Sequence, residues 1–328
     1  MARGSMVGFP MDRKTMAVAS RRHPARSALG VAGLALACLL GAQPLRAAVA
    51  PCRELERTFD LIKADLVAVQ RNAALFAAAD AGCEDFARRL LMGGASPEAR
   101  DRLGAMPLAH AARAGQRALL ELFLASGAPI DARDLAGTTS LWAAADSERQ
   151  ASVALLLAKG ADPNLPGRSG VSPLAAASFK GNDRIVEQLL ARGAAPNAVD
   201  ATGKAAITYA AARGFLEIVR RLLEAGVDAR FRYGNDLTAL MWAAGHEDGV
   251  GAQAAQGVVD LLLSRGAELD AMDDRGRTPL MMAAELGHAE LVAMLIGRGA
   301  DLSVRDRRGK TAFDLATNES VRRTLAAR

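Results

Sequence analysis

The side chains able to do acid–base, metal or nucleophilic chemistry are few and widely spaced. Histidines stand at His23, His110, His246 and His288. His246-Glu247 begins like the zinc-binding helix motif whose second histidine follows four residues after the first, but Val250 occupies that position. The glycines follow neither the spacing that cradles a phosphate nor that of a dinucleotide fingerprint. No serine sits in a nucleophile elbow, and Cys83 has no base beside it in sequence. Carboxylates such as Asp260 and Glu268 fall at ordinary solvated positions. A catalytic centre, a cofactor and a metal ion are therefore not expected.

Charge gives no better lead. The chain has 328 residues, a formal charge of +5 and only 4% aromatic residues. Its excess of cations is confined to the first fifty positions, where Arg3, Arg13, Lys14, Arg21, Arg22, Arg26 and Arg46 face one acid, Asp12. Removing those seven from 41 basic residues and that one from 36 acidic residues leaves 34 against 35. The remainder is nearly neutral, so no nucleic-acid partner is expected.

The basic stretch precedes an apolar run, Ala28 to Ala42, and a small-residue exit ending at Ala50. A basic n-region, a short h-region and small residues describe a secretory signal. The run of 15 residues is shorter than a spanning helix requires. Residues 1–50 are thus read as a signal peptide, and residues 51–70 as a capping helix with Leu55, Phe59, Ile62 and Leu66 on one face. Cleavage after Ala42, Ala47 or Ala50, a start at Met6, Met11 or Met16, and an uncleaved inner-membrane anchor all stay open. Cys38 would leave with the signal. Cys52 and Cys83 would remain, an even number that in an exported protein invites a disulfide. Two separate thiols are the alternative.

The elements that must position any site come from a ruler in the sequence. A glycine followed by Ala or Val recurs at Gly94, Gly127, Gly160, Gly193, Gly226, Gly266 and Gly299, with gaps of 33 except for one of 40. One period reads Thr278-Pro-Leu-Met-Met-Ala-Ala284, then Gly287-His288, then Ala289 to Arg298. Thr278 suits an N-cap and Pro279 the first helical position. Gly287 ends that helix, and Leu291, Val292, Leu295 and Ile296 form an apolar stripe on the next. Full units start near Asp101, Asp134, Gly167, Asp200, Tyr233 and Asp273, between a degenerate first unit and a truncated one from Asp306.

These residues resemble the ankyrin repeat, with its pattern of hairpin Asp and Gly, Thr-Pro-Leu-His, Gly-His and Gly-Ala-Asp. The resemblance covers about residues 70–328 and implies an all-α fold. It would be an ankyrin-repeat solenoid of about seven to eight helix-turn-helix units with short β-hairpin-like loops, the repeat domain occupying residues 71–328. The histidine of Thr-Pro-Leu-His is absent throughout; Trp142, Thr208, Met241 and Asp314 are among its replacements. Glu148 replaces an inter-helix glycine and Asp236 a hairpin glycine. The sixth unit carries seven extra residues within His246 to Gly257, either a binding loop or a tolerated insertion. Trp142 and Trp242 are expected to fill space between repeats.

In this family a concave face of hairpin tips and first-helix ends takes the partner. Carried over by position, that face here offers Arg102, Arg113, Leu135, Arg168, Phe179, Lys180, Lys204, Arg213, Arg275 and Arg277. The resemblance implies a non-catalytic, monomeric scaffold, and the prokaryote-like signal with the Ala- and Arg-rich composition suggests export to a bacterial periplasm. Its expected partner is another protein, one with an acidic patch, without membrane attachment after signal cleavage. A secreted effector engaging host proteins and a periplasmic oxidative-stress accessory protein are the alternative readings.

Overall fold

The structure is a computed structural model describing residues 45–62, 68–247 and 249–327. Most of the expected signal, with Cys38, lies outside the described residues, as do Leu66 and Asp248. The described residues form seventeen α-helices and no strand, with one isolated bridge from Val199 to Ala205. Helix α1 (Leu45–Ile62) precedes eight helix pairs. These are α2 (Ala68–Ala81) with α3 (Glu84–Met92), α4 (Pro107–Ala114) with α5 (Arg117–Ala125), and α6 (Ser140–Asp146) with α7 (Gln150–Ala158). Next come α8 (Pro173–Lys180) with α9 (Asp183–Ala191), and α10 (Ala206–Ala212) with α11 (Leu216–Glu224). The last are α12 (Ala239–Ala244) with α13 (Ala252–Ser264), α14 (Pro279–Leu286) with α15 (Ala289–Gly297), and α16 (Ala312–Leu315) with α17 (Glu319–Ala326).

Five of the eight pairs open on the same cap, and the packing plan is shared. The N-cap hydroxyls of Thr139, Ser172, Thr238, Thr278 and Thr311 accept from the backbone N–H three residues on, satisfying one orphan donor of each first helix. The first helices end in buried alanines such as Ala111, Ala112, Ala144, Ala145, Ala177, Ala211 and Ala244, so successive first helices pack closely in one layer. Second helices bury larger triads at i, i+1 and i+4 in the other layer: Leu119, Leu120 and Phe123; Ile185, Val186 and Leu189; Ile218, Val219 and Leu222; Leu291, Val292 and Leu295. Each such side chain contributes about 1.5–3 kcal/mol on full burial, and the burial is supplied by neighbouring units.

The N-terminus departs from the expected boundaries. The capping helix was expected over 51–70, yet α1 begins at Leu45 and the first repeat helix already starts at Ala68. Ala47, Ala48 and Ala50 are strong helix formers and carry the helix back past Pro51. On α1, Leu55 and Phe59 are half-buried, and the Phe59 ring meets Phe86 of α3 edge-on at 5.3 Å. Glu56 pairs with Arg89 at 3.1 Å. Cys52 is joined to Cys83, the residue before α3, by a disulfide with a Cα–Cα distance of 5.4 Å.

The loops between units show what replaces the missing histidines. Asp101, Asp134, Asp200, Asp273 and Asp306 each turn one carboxylate oxygen back to two backbone N–H groups of their own hairpin, at 2.7–3.1 Å. In three of them the second oxygen accepts from a side chain of this repeat: His110 at 3.1 Å, the Tyr209 hydroxyl, or the Arg277 guanidinium at 3.0 Å. Where Gly167 and Tyr233 stand instead of Asp, the tip tightens. Two successive residues then take left-handed backbone, Ser169 with Gly170 and Asn235 with Asp236. Gly167 is dictated by its neighbour, since a Cβ there would lie 2.9 Å from the Trp142 indole, whose N–H donates to Val171 O at 2.8 Å. Successive tips are tied by backbone bonds, including Leu135 N–H to Leu103 O at 2.9 Å and Gly234 N–H to Gly203 O at 3.0 Å.

Two measurements check this local account. Glu148 holds a left-handed φ of +58° in the slot where other units have glycine. Glu148→Gly removes a steric cost of about 1–2 kcal/mol and adds unfolded-state entropy of about 0.5–1 kcal/mol. Denaturant unfolding should therefore show a net gain of up to about 1.5 kcal/mol. The second concerns His110. Burial opposes its protonation, but hydrogen bonds and charge from Asp80 and the bond to Asp101 outweigh it, raising its pKa. A raised pKa gives stability that is full below the unfolded value near 6.5 and is lost as pH rises through the folded one. As pH rises from about 6.5 the native chain should lose stability that His110→Gln does not.

Candidate protein-binding face

The first helices and hairpin tips share one face, and the expected residues fall on it in two sets. Arg102, Arg113, Leu135 and Arg168 are exposed, and the three arginines form no ion pair among the described residues. Leu135 is 82% exposed and sits beside Leu103, itself 65% exposed, which leaves two leucines on adjoining tips open to solvent. The others are held by neighbours. Lys180 pairs with Asp146 at 3.5 Å, Arg213 with Glu247 at 3.7 Å, and Arg275 with Asp274 at 3.8 Å. Arg277 is clamped between Asp273 at 3.0 Å and Glu285 at 2.8 Å. Four of the eight cations of this face, Lys180, Arg213, Arg275 and Arg277, are thus matched by nearby acids.

What the structure gathers is an aromatic cluster at the middle of the face. Phe179 at the end of α8 meets Tyr209 of α10 edge-on at 5.9 Å. The Arg213 guanidinium lies 4.5 Å from the Phe179 ring centre and 5.6 Å from that of Phe215. The Lys204 ammonium lies 5.1 Å from the Trp242 ring centre and 5.7 Å from that of Tyr209. Burial first, then the hydrogen bond and charge of Asp200, push the Tyr209 hydroxyl well above its ordinary pKa, so it stays a donor. Rings stiffened by their neighbours and flanked by cations are suited to anchor a partner. Phe179, Lys204 and Arg213 are read from the sequence by position. Tyr209 and Trp242 complete the cluster, and their separation by one 33-residue period is the signal that could have placed them together.

The described residues of the sixth unit's insertion are folded. The insertion lengthens α13 to 13 residues, against nine in α15, and its loop docks through Glu247 N–H to Ala212 O at 3.0 Å. It also brings together two histidines that lie in different units. The rings of His246 and His288 stack with centres 3.7 Å apart, beside a cleft of about 350 Å³ lined also by Val250, Leu286 and Glu290. Among the described residues, no three His, Cys, Asp or Glu side chains converge as metal ligands would. No described helix is long and apolar enough to cross a membrane.

Comparison with known proteins assigns this arrangement. A family model described as ankyrin repeats in three copies matches residues 67–166 and 174–252. One for many copies matches 262–316, and one for a single repeat 235–274. No individually curated protein sequence matches the chain. Among solved structures, the ankyrin-repeat domain of human ASB11 is similar at 29% identity and a TM-score of 0.61. The match covers 68% of this chain and 97% of that one. With its models spanning most of the described helix pairs, the chain belongs to the ankyrin-repeat family.

Proposed function

We propose that this chain, an ankyrin-repeat scaffold for protein–protein interaction, holds its partner on the first-helix and hairpin face, outside the reducing cytoplasm. The Phe179–Tyr209–Trp242 cluster with its two stacked cations carries the choice of face. Aromatic rings near the middle of a surface, ringed by polar groups, concentrate binding energy. Among the described residues, the aromatic pair of the opposite layer, Phe59 with Phe86 under Arg89, is used to hold α1, and Phe86 is buried. There the large side chains are spent between units, as with Ile218, Val219 and Leu222 of α11, and the exposed positions carry charges such as Arg184 of α9.

The bond between Cys52 and Cys83 supports an oxidising compartment, since cytosolic thiols are kept reduced. The basic and apolar leader read in residues 1–50 would deliver the chain there. Retention in the periplasm is the first reading; delivery into the medium or a host cell would make it an effector. Nothing in the face calls for catalysis, and the near-neutral body fits a protein partner better than a polyanion.

Two experiments test this. A photo-cross-linking amino acid placed at Leu135 or Arg168 in the native cell should trap one and the same protein, and none at Arg184. Trapping from Arg184, or from neither face position, would contradict the choice of face. Mass analysis of thiol-blocked protein from cell fractions should find Cys52 and Cys83 bridged in the exported pool. Two blocked thiols there would remove the compartment argument.

A further inference from the structure

In three repeats a hairpin carboxylate accepts a hydrogen bond from a side chain of its own unit: from the first-helix residues His110 and Tyr209 nine positions on, and from Arg277, just before its first helix, four positions on. Trp242 occupies the same row as His110 and Tyr209 but has no such acceptor, because Tyr233 stands where the hairpin Asp would be. Its side chain is only 9% exposed, and its indole N–H is buried without a hydrogen-bond partner. A buried, unpaired donor is unfavourable, so one here marks a place where an acceptor belongs.

A second donor lies on the same ring. The Lys204 ammonium rests over Trp242 and Tyr209 and forms no ion pair among the described residues. Its nearest acid in sequence, Asp200, is already spent. One oxygen takes the backbone N–H groups of Thr202 and Lys204, and the other takes the Tyr209 hydroxyl. By contrast Lys180, Arg213 and Arg277 each have a carboxylate at hand.

We propose that Lys204 and Trp242 form an anchor for one carboxylate side chain, Asp or Glu, of an extended segment of the protein partner. The carboxylate pairs with the ammonium between two aromatic walls that keep water off it. The Trp242 N–H, buried and unpaired in the free chain, becomes the second donor as its surroundings give way to the seated carboxylate. The row continues past the anchor through Ala143 and Ala176, whose small side chains leave the chain room to run on toward Leu135 and Leu103. That open path favours an internal acidic residue over a chain terminus. Asp146, Asp236 and Glu247 on the same face disfavour a densely charged polyanion. The anchor deepens the proposed face and rests on it.

The test selects a phage-displayed library of random 12-residue peptides against the full chain, then resynthesises the binders. Replacing one internal Asp or Glu by its amide should weaken binding by about tenfold or more, as for a charge-assisted bond. That loss should shrink to about twofold in Lys204→Gln, while C-terminal amidation changes little. Trp242→Phe, which keeps a ring, should weaken the same peptides by about threefold or more. Binders that Leu135→Arg abolishes but that need no acid would overturn the anchor and leave the face standing. Binders indifferent to both Leu135→Arg and Lys204→Gln would overturn the face itself. Dependence on the terminal carboxylate alone, equal losses in native chain and Lys204→Gln, or enrichment of nothing would each overturn the anchor.

Discussion

No helix pair in this chain can bury its own apolar side. A first helix of seven or eight residues presents alanines, and a nine-residue second helix presents one stripe of branched residues. Neither shields the other from water without the next unit. Stability therefore resides in the interfaces between units, approximately as a sum over neighbours. The two ends meet this constraint differently. At the C-terminus α16 is cut to four residues and α17 exposes Arg322 and Arg323. At the N-terminus α1 is laid over the first pair and secured by Cys52–Cys83.

The same constraint decides what the face can do. Since packing is settled between neighbours, the hairpins and first-helix residues are left to vary, and they vary as coupled sets. Trp142 occupies the histidine slot, so Gly167 follows and the fourth hairpin loses its carboxylate. Tyr233 displaces the sixth carboxylate, so Asn235 and Asp236 go left-handed and the Trp242 N–H goes unpaired. These two departures flank the fifth repeat, where Tyr209 and Lys204 complete the aromatic cluster.

Much of this was legible in the sequence because it is written locally. Thr278-Pro279, Gly287 and the Leu291–Val292–Leu295 stripe each specify a cap, a stop and a buried side within a few residues, and the 33-residue period repeats that specification. The face residues were legible as positions but not as partners. Arg277 belongs to its own Asp273 and Glu285, and Arg213 to Glu247 of the next unit. The stacking of His246 on His288 depends on how an insertion refolds. Such pairings cross from unit to unit through side-chain direction, which no linear pattern encodes. The start of α1 at Leu45 was missed because a signal-like exit and a helix share the same alanines.

The claim that neighbours alone hold each unit is tested most directly by removing residues 134–166, one whole period. That excision takes Trp142 with it, so Gly167 meets no ring and the second and fourth units should dock as any neighbours do. Calorimetry of the shortened chain should show one cooperative transition at a lower temperature, with unchanged helix content per residue by circular dichroism. A shortened chain that unfolds without a cooperative transition would show that the units do not act as interchangeable neighbours, and would contradict the account.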